Sequence, residues 1–166
     1  MRNRRRGSTL VEFTLTAIPT LFLSLSVVEC GLAMLEYDSM ANAVTVAARY
    51  AANHGATCAQ SPNSCTVRIE DVANLIASTT WIVSTSTLSV TFTDNSGSTT
   101  CELNACQSNT AQFPSSTGGA NAVGNPITIK VTHNIINPLP MFWPPNADAD
   151  DTGYTVGAGS VQVIQF

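Results

Sequence analysis

Charge is what this sequence has least of. Asp, Glu, Lys and Arg together make up 11% of its 166 residues, about half of the roughly 25% of an ordinary soluble domain. That excludes a disordered acidic or basic tail, which needs many charges and few apolar residues, because 44% of the chain is hydrophobic. Lys130 is the single lysine, and the net charge is −4, which argues against a nucleic-acid module. Histidine is nearly absent, with His54 and His133 alone, and neither lies in a metal or triad motif. There is no phosphate-cradling glycine loop and no lysine beside one. An enzyme is therefore not expected, and no catalytic, metal or cofactor residue stands out.

What charge there is lies unevenly. Arg2, Arg4, Arg5 and Arg6 form a basic tip. Beyond residue 35 the basic residues are Arg49, Arg68 and Lys130, facing the acidic Glu36, Asp38, Glu70, Asp71, Asp94, Glu102, Asp148, Asp150 and Asp151. Between tip and body, residues 8–35 are mostly apolar, and about 20 such residues cross a bilayer. Arginines before the run hold that end in the cytoplasm, so the body faces outward.

Two carboxylates interrupt the run. A carboxylate near the bilayer centre costs at least roughly 2.5–3.5 kcal/mol and calls for a partner. Glu29, near the far end, can reach the outer headgroups. Glu12 is harder to dismiss.

The stretch Arg4-Arg5-Arg6-Gly7-Ser8-Thr9-Leu10-Val11-Glu12-Phe13 resembles the leader and start of a type IV prepilin. The short leader, Val11-Glu12-Phe13 and the later Ala47-Ala48-Arg49-Tyr50-Ala51-Ala52 resemble the TadE-like proteins more narrowly, the minor pilins or pseudopilins of the tight-adherence (Tad, Flp-type) pilus. The resemblance covers about the first third of the chain. It implies cleavage by a prepilin peptidase between Gly7 and Ser8, with Glu12 then fifth in the mature chain. It further implies the cytoplasmic (inner) membrane of a bacterium as location, with a single pass. The implied partners are other pilin and pseudopilin subunits, the assembly platform and the lipid bilayer, with adhesion and biofilm formation as the outcome. Calcium braces the C-terminal sheet in some relatives. Here the acidic run at 146–153 fails the calcium-loop template, because Asp151 stands at the glycine position and Gly157 at the glutamate position. No cofactor is expected.

The chemistry of the motif stands without the name. Cleavage frees an ammonium at Ser8, and residues four apart share a helix face. Glu12 can answer that ammonium or one on a neighbouring subunit. A buried ion pair is far better than a lone buried charge, so the pair sets axial register. Pro19 removes one helical hydrogen bond and is expected to kink the helix.

Three alternatives compete. An ordinary secretory signal would use residues 18–28 as its apolar core and be cut near Gly31-Leu32-Ala33 or Ala41-Asn42-Ala43, leaving a secreted module. A pseudopilin of a type II secretion system shares the Glu12 logic. A membrane-anchored extracytoplasmic binding module would hold a ligand on its sheet and proline-rich loop. A lipoprotein signal is excluded because Glu29 precedes Cys30 where a small residue is required.

The resulting division is a leader at 1–7, a transmembrane helix at 8–35, its continuation at 36–54 and an exported body at 55–166. In the continuation Tyr37, Met40, Ala41, Val44, Ala47, Ala48 and Ala51 share one helical face, with Asp38, Ser39, Asn42, Thr45, Arg49 and Asn53 opposite. Asn53-His54-Gly55 is a stop. Cys58 with Cys65, and Cys101 with Cys106, are spaced to close two local disulfide loops; crossed pairings satisfy the same count. Cys30 is left over as an apolar filler.

A second helix is expected at 66–78. Strands are expected where Leu88, Val90 and Phe92 alternate with Ser89, Thr91 and Thr93, where Ile127, Ile129 and Val131 alternate with Thr128, Lys130 and Thr132, and at 154–166. Gly157, Gly159 and a phase change near Val161 predict a bulge in the last. Asp94-Asn95-Ser96-Gly97 is a turn, residues 107–125 an exposed loop, and 137–145 a proline-rich apolar loop. His133 is read as a surface or edge residue. The fold class is α+β and pilin-like: a long helix, a short helix and a small antiparallel sheet.

Overall fold

A computed structural model describes residues 6–56, 66–136 and 153–165. The fold is α+β, with a long N-terminal apolar helix, a short helix and a four-stranded antiparallel sheet. The elements are α1 (Arg6–Ala52), α2 (Ile69–Thr79), β1 (Leu88–Asp94), β2 (Gly97–Glu102), α3 (Leu103–Cys106), β3 (Pro126–Ile136) and β4 (Gly153–Val163). The chain divides into two compact units between Leu35 and Glu36.

In the first unit α1 runs unbroken through Pro19. Leu10, Val11, Phe13, Leu15, Ile18, Leu21, Leu23, Leu25, Val27 and Val28 are all exposed. A helix apolar on every side needs an apolar surrounding, and α1 is long and apolar enough to cross a membrane. Cys30 is a free thiol, exposed rather than the packed filler expected.

In the second unit α1 changes character. Met40, Ala43, Val44, Ala47, Ala48, Ala51 and Ala52 are buried, whereas Tyr37 is 46% exposed. The buried face is thus rotated slightly from the expected one. Ser39 joins it at 8% exposure, one turn before Ala43, although its chemistry suggested the outer side. Small alanines let the helix approach the body closely. The helix stops at Ala52, where Asn53 and His54 close the last turn on the carbonyls of Arg49 and Ala51.

α2 is amphipathic, burying Ile69, Val72, Ala73 and Ile76. Its N-terminus is held by Asp71, whose carboxylate accepts the Arg68 N–H at 3.0 Å. The sheet order is β2-β1-β3-β4, every neighbour antiparallel. Leu88, Val90 and Phe92 of β1 face inward with Ile127, Ile129 and Val131 of β3.

Several expectations need correction. β4 pairs with β3 over eleven consecutive residues, from Pro126↔Val163 to Ile136↔Gly153, without a bulge. The alternation never slips: Val156 and Ala158 face inward, while Val161 and Val163 are outward-facing valines, 62% and 50% exposed. β2 is a strand although Gly97–Glu102 is almost wholly exposed and polar. Residues 107–125 are not a loose loop. Phe113 and Ala120 are buried. The Phe113 N–H bonds Val67 O, that of Ile69 bonds Ala111 O, and that of Gly124 bonds Ile164 O, each at 2.9 Å. Phe113 meets Phe92 edge-on at 5.2 Å.

Asp94 ties this segment to the β1–β2 turn. Its carboxylate accepts the Ser96 N–H at 2.8 Å, the Ser96 hydroxyl, and the Ser115 N–H at 2.8 Å. Burial alone raises its pKa, but the hydrogen bonds from Ser96, Ser115 and Gly97 together outweigh burial and hold the carboxyl below the usual carboxylate range. A depressed folded value means the stabilisation is complete above the unfolded pKa and is lost as pH falls through the folded one. The detergent-solubilised chain should therefore lose thermal stability on acidification from about pH 5 to about pH 2. Asp94→Asn should begin lower and lose less over that window. Parallel melting curves of the two proteins against pH are the check; equal slopes contradict the assignment.

Candidate assembly site along the first helix

Gly7 and Ser8 lie in the first turn of α1, which begins at Arg6. Glu12 follows Ser8 by one turn and is exposed. The same i, i+4 row continues through Thr16, Thr20 and Ser24. Four hydroxyls in the apolar run are turned back on their own backbone. Thr16 donates to the carbonyls of Glu12 and Phe13 at 3.1 Å, Thr20 to Thr16 at 2.8 Å, Ser24 to Thr20 at 2.9 Å and Ser26 to Phe22 at 2.9 Å. Each of these four hydroxyls is thereby satisfied without water, as an apolar surrounding requires. What the first unit offers is an apolar rod with one exposed carboxylate one turn into it.

A second polar group was not foreseen. His133 is neither a surface nor an edge residue. It sits on the central strand β3, in phase with Ile127, Ile129 and Val131, and its side chain is 11% exposed. Its Nδ1 lies 3.1 Å from Thr87 Oγ1, and its Nε2 lies 3.9 Å from Glu36 Oε2. Glu36 Oε2 and Ser39 Oγ are both buried without a hydrogen-bond partner. Glu36 thus sits where the start of the second unit's helix meets its sheet. The signal was available: the β3 alternation continued by two residues puts His133 inward, and Glu36 precedes buried Met40 by one turn.

Of the four cysteines expected to form bridges, Cys101 and Cys106 are disulfide-bonded, with Cα atoms 5.6 Å apart. The bridge pins α3 to the end of β2. Cys58 and Cys65 lie outside the described residues, as do the proline-rich segment 137–145 and the acidic run to residue 152. Among the described residues no group of three or more His, Cys, Asp or Glu side chains is placed to hold a metal. A groove lined by Tyr50, Asp71, Asn74, Leu75 and Ser78 lies between α1 and α2, with no convergent charge or nucleophile beyond Asp71.

Residues 7–49 match a family model described as TadE-like protein. The match takes in Gly7, Ser8, Glu12, the apolar run and the alanine face as far as Arg49, and ends before the rest of the body. No curated protein and no solved structure matches the chain.

Proposed function

We propose, from the TadE-like segment at residues 7–49, that the chain is a minor pilin or pseudopilin serving assembly of a tight-adherence pilus, and through it adhesion and biofilm formation. It is a structural subunit, not an enzyme. A prepilin peptidase removes residues 1–7 and frees the Ser8 ammonium. The chain stays in the bacterial inner membrane as a single-pass protein, its N-terminus on the cytoplasmic side and its body outside. There the assembly platform and the other pilin and pseudopilin subunits meet its apolar helix.

One observation carries the reading. Glu12 is an exposed carboxylate one turn after Ser8, near the start of a mostly apolar run and inside the TadE-like match. A carboxylate in lipid is unfavourable. A charge answered by the ammonium of its own or a neighbouring chain fixes where two helices stop sliding. The remainder of the rod supplies dispersion contacts but no register.

The experiment is to isolate the chain from the cell envelope and sequence its N-terminus. A start at Ser8 supports the reading. A start near Met34 or Val44 makes the protein a secreted module and overturns it.

A further inference from the structure

One edge of the sheet, β4, differs from what a solitary domain presents. Edge strands are usually blunted by lysine, proline or a bulge, because an unpaired row of N–H and C=O groups recruits other strands. β4 is eleven residues long, regular, and carries no charge and no proline. Which of its groups are free follows from its neighbours. Ile164 gives its N–H to Asn125 O and takes the Gly124 N–H, so even-numbered residues bond toward β3. Gln165 points the other way and gives its N–H to Ala52 O. The backbone groups of Thr155, Gly157, Gly159, Val161 and Val163 therefore face the open edge, with no hydrogen bond among the described residues. Their side chains lie on the outer face of the sheet.

Two unpaired charges lie on that same face. Lys130 sits beside Gly159 in the β3–β4 register. Its stem runs over the bare backbone of both glycines: a Cβ built at Gly159 would lie 3.8 Å from Lys130 Cγ, and one at Gly157 3.7 Å from Lys130 Cε. The ammonium is thus carried toward the open edge of β4. Glu102 is exposed at the end of β2, the opposite edge, opposite the outward-facing Ser89. Neither charge has an ion-pair partner among the described residues.

We infer that β4 of one copy pairs antiparallel with β2 of the next, with Lys130 answering Glu102 across the junction. The topology permits it without turning a copy over. β1 runs opposite to β2 and β3, and β3 opposite to β4, so β2 and β4 run in opposite senses. A second copy displaced sideways within the sheet brings its β2 alongside β4 already antiparallel, with all directions preserved. Pairing β4 with β4 instead carries two lysine ammoniums toward one seam and leaves Glu102 unanswered. With Glu102 of the next copy beside Gly159, its Thr100 and Ser98 fall beside Val161 and Val163. These are compact side chains and no like charges meet. The contact is head-to-tail and open, so it propagates into a row rather than closing on a dimer.

The inference rests on the chain being a membrane-anchored subunit. The test places benzoyl-phenylalanine at Val161 of the full chain, in membranes of cells that express it, and irradiates. Expected are dimers and higher multimers whose cross-linked peptide maps to residues 97–102 of a second copy. Lys130→Glu or Glu102→Lys alone should each lower the multimer yield by about fivefold, the scale of one reversed exposed charge pair. The double variant should restore it. Both residues are exposed, so neither change threatens the fold. Cross-links to residues 153–163 of a second copy, cross-links only to other proteins, no cross-links, or a double variant as weak as the singles each overturn the edge contact. Such a failure with the mature start still at Ser8 sinks this inference alone; a start near Val44 sinks the reading beneath it.

Discussion

Replacing Glu12 by alanine should leave the protein in the membrane at normal abundance and abolish its productive entry into the pilus. The two outcomes separate because they rest on different parts of α1. Anchoring depends on the apolar run, in which Leu10, Phe13, Leu15, Leu21, Leu23 and Val27 are all more than half exposed. Losing a carboxylate one turn into the apolar run does not oppose insertion. Register depends on the one charge that can meet the Ser8 ammonium. Without it, that ammonium is left unanswered in a low dielectric, where removing one member of a buried pair costs about 3–5 kcal/mol. At 1.4 kcal/mol per tenfold, the expected loss is about a hundred- to a few-thousandfold in incorporation. Glu12→Asp should recover part of it, and Glu12→Gln little. Quantitative immunoblots of membrane and sheared-appendage fractions measure both terms together. Wild-type appendages in the alanine variant would remove Glu12 from the account.

The second large effect lies in the body. Phe92 is 1% exposed at the centre of β1, edge-on to Phe113 at 5.2 Å. Phe92→Ala should destabilise the body by about 3–5 kcal/mol through lost burial and the cavity left behind. Domains hold only about 5–15 kcal/mol in total. The loss should spread, because Phe113 anchors residues 107–125, and that segment is bonded to Val67 and Ile69 at the start of α2 and to Ile164 after β4. Val161→Ala, on the exposed outer face, should move stability by no more than about 0.5 kcal/mol. Urea titration of the two detergent-solubilised variants, followed by near-ultraviolet dichroism, is the check. A Phe92→Ala midpoint within error of wild type contradicts the packing described.

The contrast between Phe92 and β2 shows where sequence patterns carry structure and where they do not. β1 was legible because Leu88, Val90 and Phe92 alternate with polar residues across a half-buried sheet. The same held for β3, and for α2 with its helical spacing of Ile69, Val72, Ala73 and Ile76. β2 was invisible because Gly97–Glu102 buries almost nothing. It is a strand because the Asp94–Gly97 turn folds it back on β1, a tertiary cause with no hydrophobic signature. Residues 107–125 were misread for a similar reason: backbone bonds to Val67 and Ile164 and one buried Phe113 hold them, and none of these shows as periodicity. In β4, valines on the outer face imitated a change of phase, so a regular strand read as bulged.

The candidate site was legible to a different degree. Glu12, Gly7 and Ser8 were readable because a carboxylate inside an apolar run conflicts with lipid, and such conflicts mark function. The Glu36–His133 contact was not read, because it joins a helix to a strand about a hundred residues away in the sequence. The Lys130 and Glu102 placement likewise needed the strand order, which no local pattern encodes.

Central to the account is a cut between Gly7 and Ser8 that creates the charge Glu12 answers. Intact mass spectrometry of the chain recovered from assembled appendages tests it most directly. The account predicts a polypeptide beginning at Ser8, lighter than the full chain by its arginine-rich first seven residues. A chain that begins at Met1 within fully formed appendages would contradict it.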